Sequence, residues 1–422
     1  MTQETEADAG AGAGIEADAG VEPPPTGTSV WTANFRLYLC ARTTSLLGDA
    51  MLPVALSAGV LAAGYGIAGV GFALGAWMGA LAVCILFGGV LADRFQPRRM
   101  MVLADLVRLL VQSGMAVSFA LGPPPLLLIL SLQALSGVAT AMFQPGVASM
   151  VPQVAADVQR GNGVLRIAEA LTAVAGPALG GVLVSTSAPS TVFAIDAATY
   201  GVSAACLAAL RLARAADART GRSYWSQLVE GWQDFVARAW LWRVIAIFLV
   251  FGSVVPGISL PIAAGLVTAD SGSTGFGFGM AAFGAGGVLG GLIAMRIRPV
   301  HPLAVGAVGW ALFSLYPLVP AVAPPELVLC AGWLAAGFGL AFWDVMWATT
   351  VQTQIPADLL NRLYAYDVCG SLLALTLGRT LAGPLADVFG ARHLMLLSAT
   401  IGLACTGVLL AAPAIRRLAR VT

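Results

Sequence analysis

The chain has 422 residues, of which 58% are hydrophobic and only 10% charged, and its mean hydropathy is +0.85. Such a sequence cannot present its surface to water and needs lipid as its solvent. The net charge is +1 and the arginines are scattered over short loops, so no basic patch for nucleic acid is present. All 22 basic residues are arginine, a composition typical of GC-rich bacterial genomes.

Residues 1–32 carry six acids, no base and repeated Ala-Gly, which predicts a disordered tail rather than a signal peptide. The six cysteines lie inside apolar runs without CxxC spacing, and the two histidines lie far from them. We therefore expect the cysteines to be small apolar side chains in helix packing, and we expect neither a metal site nor a cofactor.

Apolar runs long enough to cross about 30 Å of hydrocarbon recur twelve times along the chain. The predicted spans are 36–62, 68–91, 100–121, 125–150, 163–185, 190–211, 243–267, 274–295, 302–321, 327–350, 362–382 and 393–413. One long polar break separates two halves of six spans, at 33–212 and 243–415. This linker, 213–242, is predicted to contain an amphipathic helix at the membrane surface, and 416–422 form a short tail.

Arginines concentrate in alternate loops, namely those after spans 2, 4, 6, 8 and 10 and at the C-terminus. The other short loops hold none, except that Arg392 precedes span 12 and is expected beside Asp387. By the positive-inside rule both termini are predicted to be cytoplasmic, in the cytoplasmic membrane of a bacterium.

A ten-residue phrase occurs twice at equivalent places in the two halves. Residues 88–97 read GGVLADRFQP and residues 290–299 read GGLIAMRIRP, 202 positions apart and each between two apolar runs. A duplicated membrane half predicts a secondary transporter built from two repeats. The copies differ in one useful respect, since Asp93 of the first corresponds to Met295 of the second.

The loop 89–99, GVLADRFQPRR, resembles the signature between the second and third helices of the major facilitator superfamily, although Gln96-Pro97 replace its usual glycine and basic residue. Phe-Gln-Pro-Gly at 143–146 and AGPALGG at 175–181 are similar to the macrolide-efflux-type branch of drug:proton antiporters. The resemblance implies an all-α membrane fold of twelve helices in two pseudo-symmetric six-helix bundles. It also implies a cytoplasmic latch between the halves, formed by Gly89, Asp93, Arg94, Arg98 and Arg99.

Several charges are predicted inside the membrane, where a lone charge costs several kcal/mol unless it is neutralised, paired or facing water. Asp49, midway along span 1, and Asp344, between Trp343 and Trp347 in span 10, are the candidates for proton coupling. A structural hydrogen bond between helices is the alternative for Asp49. Asp105 and Arg108, three residues apart, are expected to pair and to extend the charge network of the latch.

Two further motifs concern packing and the substrate. Gly176, Pro177, Gly180 and Gly181 predict close helix packing and a kink, and the resemblance implies that they seal the outer side. In span 4, Gln133 replaces the arginine that many proton-coupled relatives carry. A substrate cavity is predicted from a polar stripe with nearby aromatic side chains: Gln133, Gly137, Thr140, Phe143, Gln144, Trp343 and Trp347.

The sequence lacks a phosphate-binding GxxxxGK[ST] loop, so ATP does not drive this chain, and no catalytic nucleophile with its base is visible. We predict a non-enzymatic transporter, functional as a monomer, that exports a hydrophobic or amphipathic small molecule in exchange for protons. Two alternatives remain: uptake or facilitated diffusion of a metabolite by the same fold, and a membrane sensor or assembly partner that transports nothing.

Overall fold

The computed structural model describes residues 31–94, 96–155, 157–212, 236–355, 357–416 and 418–419. The side chains are described as well, except those of 86–94, 145, 148, 149, 159, 352, 357–366 and 369. Residues 1–30 of the predicted N-terminal tail and most of the predicted linker lie outside the described residues. Within the described ranges the chain is almost entirely helical and contains no strand, so the predicted all-α fold is confirmed.

Six helices form the first half of the chain. Spans 1 to 6 are Ala33–Ala62, Gly66–Arg94, Pro97–Leu121, Leu126–Val154, Val158–Thr186 and Pro189–Ala209. Spans 3 and 6 begin at Pro97 and Pro189. Proline is tolerated there because the backbone N–H groups of the first turn have no hydrogen-bond partner within the helix. The side chain of Thr32 caps span 1 by accepting a hydrogen bond from the backbone N–H of Phe35 at 3.0 Å.

The second half also contains six spans, although its helices are less regular. Helical segments run without a gap through Ala239–Gly252, the π-helix Ser253–Ile258 and Ser259–Arg296, a stretch of 58 residues. At 1.5 Å per residue this stretch is about 87 Å long, too long for one crossing of the bilayer. Gly272 interrupts it with φ 73° and ψ 177°, which divides it into span 7 (239–271) and span 8 (273–296).

Spans 9 to 12 complete this half. Span 9 consists of two short helices, Pro302–Phe313 and Leu315–Ala321, and spans 10, 11 and 12 are Glu326–Gln354, Ala357–Phe389 and Ala391–Ala411. A last helical turn, Pro413–Arg416, follows. The twelve predicted spans are therefore present within the described residues, mostly longer by a few residues than the apolar runs.

Twelve crossings place residues 33 and 411 on the same side of the membrane, called here the terminal face. Span 2 ends at Arg94 and span 8 at Arg296, so the two copies of the repeated phrase end corresponding helices on this face. On the opposite face Arg392 pairs with Asp270 at 3.1 Å. The expected partner of Arg392, Asp387, was therefore wrong, because the turn between spans 7 and 8 brings Asp270 closer.

Candidate functional site

Asp49 joins three helices near the middle of the membrane. It is the seventeenth of the 30 residues of span 1. Its carboxylate accepts a hydrogen bond from the phenolic O–H of Tyr200 in span 6 and lies 4.0 Å from the guanidinium of Arg108 in span 3. The side chain is 39% exposed, whereas that of Arg108 is 3% exposed. Asp49 is therefore the accessible member of an otherwise buried cluster.

Arg108 is held from several sides. Its Nη2 donates to Oδ1 of Asp105 at 2.5 Å, and Ser203 of span 6 donates to the other carboxylate oxygen at 2.6 Å. The guanidinium carbon lies 4.4 Å from the centre of the Phe143 ring and 4.5 Å from that of Tyr200. Aromatic faces stabilise a guanidinium by cation–π attraction, so Arg108 has a fixed position between its acids.

Asp196 of span 6 is a third carboxyl group in this cluster and is completely buried. It packs against Gly48, because a Cβ at that position would overlap Oδ1 of Asp196. Thr199 lies 3.4 Å from Oδ1, and Oδ2 has no hydrogen-bond partner. The sequence shows Asp196 only as one of several intramembrane charges. The signal that distinguishes it is Gly48, which admits this carboxyl group beside Asp49.

A second set of charges lies nearer the terminal face. Arg42 contacts Glu169 of span 5 at 3.6 Å and lies 5.6 Å from the centre of the Phe143 ring. Arg166 also binds Glu169, at 2.8 Å. Here two guanidiniums share one carboxylate, whereas the cluster around Asp49 has more carboxylates than guanidiniums. Among the described residues no group of three or more His, Cys, Asp or Glu is placed to hold a metal ion.

Asp344 faces the boundary between the two bundles. A cavity of ≈ 310 Å³ separates span 5 from spans 8 and 10, and its wall includes Arg166, Glu169, Phe283, Leu340 and Asp344. Asp344 is exposed to it and has no hydrogen bond or ion pair with the described residues. Asp367, by contrast, accepts a hydrogen bond from the indole of Trp347 at 2.9 Å.

The residues predicted to line a single substrate cavity lie in different parts of the structure. Trp343 is 2% exposed and packs between Trp310 and Trp347 in the second bundle, with ring centres 4.6 and 6.1 Å away. Gln133 is 3% exposed, because its helix face packs on span 2, where Gly137 lies against the carbonyl of Trp77. Placing Gln133, Gly137 and Trp343 in the cavity was therefore wrong for this conformation.

The remaining members of the predicted stripe lie apart. Phe143 is 2% exposed and lies under Arg108, so it supports the charge cluster instead of lining a cavity. Thr140 binds the carbonyl of Ser136 in its own helix at 2.9 Å, and Gln144 is exposed. Helical spacing put these residues near one face of span 4, but neighbouring helices cover different parts of that face.

The predicted latch is also divided. Arg98 donates through Nε to the carbonyl of Leu207 at 2.9 Å and through Nη2 to that of Ala208, both in span 6 of the same bundle. Asp105 and Arg108 contact each other and Asp49, as described above, and their link to the loop network stays a prediction. The side chains of Asp93 and Arg94 lie outside the described residues. For Gly89 only the helical backbone is described.

The AGPALGG segment lies where three helices meet, towards the face opposite the termini. A Cβ at Gly180 would lie 3.1 Å from the carbonyl oxygen of Met51 in span 1. One at Gly181 would lie 2.8 Å from the carbonyl oxygen of Ser273 and 3.1 Å from Cα of Gly277 in span 8. Gly176 likewise lies against Ala50, and the carbonyl of Pro177 against Gly277.

Spans 2 and 11 meet in the same half of the membrane, where Gly383 lies against Ala68 and Gly75 against the hydroxyl of Thr380. Backbone contact of this kind leaves no room for a solute. The bundles are thus closed on the face opposite the termini, while the cavity beside Asp344 lies between them further towards the terminal face. Two six-helix bundles with one closed end and charged residues at mid-membrane are the arrangement of a polytopic membrane transporter.

The sequence profile of the Major Facilitator Superfamily matches residues 38–366. The chain belongs to this superfamily and is a multi-pass membrane transporter. It is 28% identical over 355 residues to the multidrug efflux pump Tap of Mycobacterium tuberculosis (strain ATCC 25618 / H37Rv), which covers 79% of this chain and 82% of the relative. The Tap pump of Mycobacterium bovis (strain ATCC BAA-935 / AF2122/97) matches to the same extent.

Solved structures agree with this fold. The nucleoside transporter NupG superposes with a TM-score of 0.73 at 11% identity, covering 90% of this chain and 98% of that one. A bacterial homologue of the human lysosomal transporter Spinster, in an inward-facing and unoccupied conformation, gives 0.71 at 12% identity, covering 91% and 97%. At these identities the likeness concerns the fold alone.

Proposed function

We propose that this transporter exports hydrophobic or amphipathic small molecules in exchange for protons, with both termini in the cytoplasm of a bacterium. The observation that carries the proposal is the cluster around Arg108. In it Asp49 is partly exposed, whereas Asp105 and Asp196 are buried. The charge balance of this cluster supports proton coupling, and the similarity to a multidrug efflux pump supports export.

The charge balance is simple. Three carboxylates and one guanidinium carry a net charge of −2 when all are ionised, and uncompensated charge inside a membrane is unfavourable. Uptake of protons lowers that cost, and Asp49 is the least buried of the three acids, with 39% of its side chain exposed. Because Tyr200 and Arg108 hold Asp49 from spans 6 and 3, its protonation changes contacts between helices. A proton drives the cycle only if it binds the two access states with different affinity.

Substrate entry is proposed from the terminal face, through the cavity between spans 5, 8 and 10. Its wall combines apolar and aromatic groups, such as Leu340 and Phe283, with the acids Glu169 and Asp344. Apolar walls with a few polar groups suit amphipathic molecules. Arg166 of the same wall is paired with Glu169 at 2.8 Å, so Asp344 is the acid that favours a positive charge on the substrate. The glycine contacts of Gly176, Gly180 and Gly181 act as the seal on the outer side.

A flux assay with the purified protein in proteoliposomes tests the proposal. A lipophilic cationic dye such as ethidium is the probe, and a pH gradient is imposed in either direction. We expect dye movement opposite to the proton gradient, lost in Asp49→Asn but retained in Asp157→Asn, an exposed acid on the terminal face.

Three outcomes contradict the proposal. Dye flux that ignores a collapsed gradient, with Asp49→Asn fully active, indicates facilitated diffusion. Flux in the same direction as the protons indicates uptake. No substrate-dependent flux with any lipophilic probe, from a folded protein, indicates a sensor or an assembly partner.

A further inference from the structure

A groove separate from the cavity beside Asp344 lies between the start of span 3 and the end of span 6, on the terminal face. Its volume is ≈ 470 Å³. One end is polar and formed by Gln96, Arg98 and Arg99, and the wall below it is apolar and formed by Val102, Leu103 and Leu106.

The polar end lies at the depth of lipid headgroups. Span 3 has 25 residues and is therefore about 38 Å long, roughly 8 Å more than the hydrocarbon layer. Its first turn, which carries Arg98 and Arg99, extends into the headgroup layer if the remainder of the helix crosses the hydrocarbon.

The two arginines are placed differently. Arg98 is fixed, because it binds the last carbonyls of span 6 at Leu207 and Ala208. Arg99 is exposed and has no hydrogen bond or ion pair with the described residues. The groove therefore offers one anchored guanidinium and one that is free to bind an anion.

The apolar wall continues along the lipid-facing side of the helix. Leu103, Leu106 and Leu110 are 53%, 45% and 69% exposed and follow one another at positions i, i+3 and i+7. Leucines that face outward from a membrane helix lie against acyl chains. A ligand that fills the groove therefore needs both an anionic head and a hydrocarbon chain.

We propose that this groove binds one anionic phospholipid, with the phosphate on Arg99 beside Arg98 and an acyl chain along Leu103 and Leu106. A guanidinium binds phosphate oxygens in a bidentate manner, and basic pockets between helices on the cytoplasmic side suit anionic headgroups. A zwitterionic lipid fits the wall equally well but gains less at the polar end, because its own cation repels the arginines.

Native mass spectrometry of the full-length protein tests the proposal without any transport assay. The protein is reconstituted in vesicles of equal phosphatidylglycerol and phosphatidylcholine with identical acyl chains, extracted in mild detergent, and its retained lipids are identified. We expect one retained phosphatidylglycerol in the wild type. The fraction of lipid-bound protein should fall at least about fivefold in Arg99→Gln, because this variant removes the charged donor that the phosphate binds.

Matched variants make the result specific. Arg160→Gln removes an arginine on the same face that is 76% exposed and already paired with Asp157 at 3.4 Å, so it should retain the lipid. Leu103→Trp, which fills the apolar wall, should release it. Monodisperse elution of each variant establishes folding.

Two results overturn the proposal: equal retention of the two lipids, and wild-type retention by Arg99→Gln. A further experiment adds inorganic phosphate in excess to the lipid-bound protein. If phosphate alone displaces the lipid and Leu103→Trp has no effect, the site recognises a phosphate group only and is not a phospholipid site.

Discussion

Tyr200 of span 6 donates its phenolic O–H to the carboxylate of Asp49 in span 1, beside Arg108 of span 3. This bond places a partly exposed acid at the meeting point of three helices, near the middle of the membrane. Any change in the charge of Asp49 therefore alters how these three helices hold one another.

Replacing Asp49 with Asn removes the proton-binding group while keeping its size. We expect transport driven by a pH gradient to fall at least about tenfold, because a side chain that binds no proton cannot shift the two access states. Substrate counterflow without a gradient should persist, which separates coupling from folding. Asp344→Asn is the comparison variant; if it alone abolishes gradient-driven flux, the coupling acid is Asp344 and our assignment is wrong.

Arg108→Gln should destabilise the protein strongly. The guanidinium is the cation that faces Asp105, and breaking a buried ion pair from one side costs about 3–5 kcal/mol. Asp105→Asn in the same chain removes the unpaired charge and should restore more than half of the lost unfolding free energy. Thermal denaturation in detergent measures both variants. If the double variant is as unstable as Arg108→Gln alone, the pair does not carry the effect.

Gly277→Val tests the seal between spans 5 and 8. A Cβ at Gly277 lies 2.5 Å from the carbonyl oxygen of Pro177 and 2.9 Å from Cα of Gly181, so a branched side chain forces the outer halves apart. We expect a loss of about 1–3 kcal/mol in the closed state and a strong drop in transport. Gly291→Val on the same helix is the control, because a Cβ there meets nothing within 4 Å. Equal activity of the two variants contradicts a sealing role.

Asp93→Asn and Met295→Ala compare the two copies of the repeated phrase. Only the first copy carries a carboxylate, which can accept hydrogen bonds from a helix N-terminus across the interface. We therefore expect Asp93→Asn to impair transport much more than Met295→Ala, with similar amounts of folded protein. Rates measured in the same vesicles decide the matter, and equal rates mean that the latch is not one-sided.

Much of the fold was predictable because hydrophobic length is a local property. Each crossing needs about 20 apolar residues, so the twelve spans and the 202-residue repeat were visible in the sequence. The break between spans 7 and 8 was less clear, since 239–296 form one helical run that Gly272 alone interrupts. Arg392 was assigned the wrong partner because Asp387 is near in sequence and Asp270 is near only in space.

The site was less predictable, because helical spacing shows which residues share a face and not what covers that face. Gln133 and Trp343 were placed in a cavity on this basis, and both are buried by neighbouring helices. Asp105 and Arg108 were recognised as a pair three residues apart, a distance that one helix fixes. Their connection to Asp49, across spans 1, 3 and 6, was not visible in the sequence.

The sequence by itself determined that this chain crosses a membrane twelve times in two related halves, because lipid requires long apolar helices whatever their arrangement. It also pointed to Asp49, since a charge in an apolar run is costly enough to need a reason. Only the tertiary structure decided which charges meet. Gly48 admits Asp196 beside Asp49, and Phe143 and Tyr200 fix Arg108 between its acids. Such contacts depend on how separate helices pack, and packing joins residues about 150 positions apart.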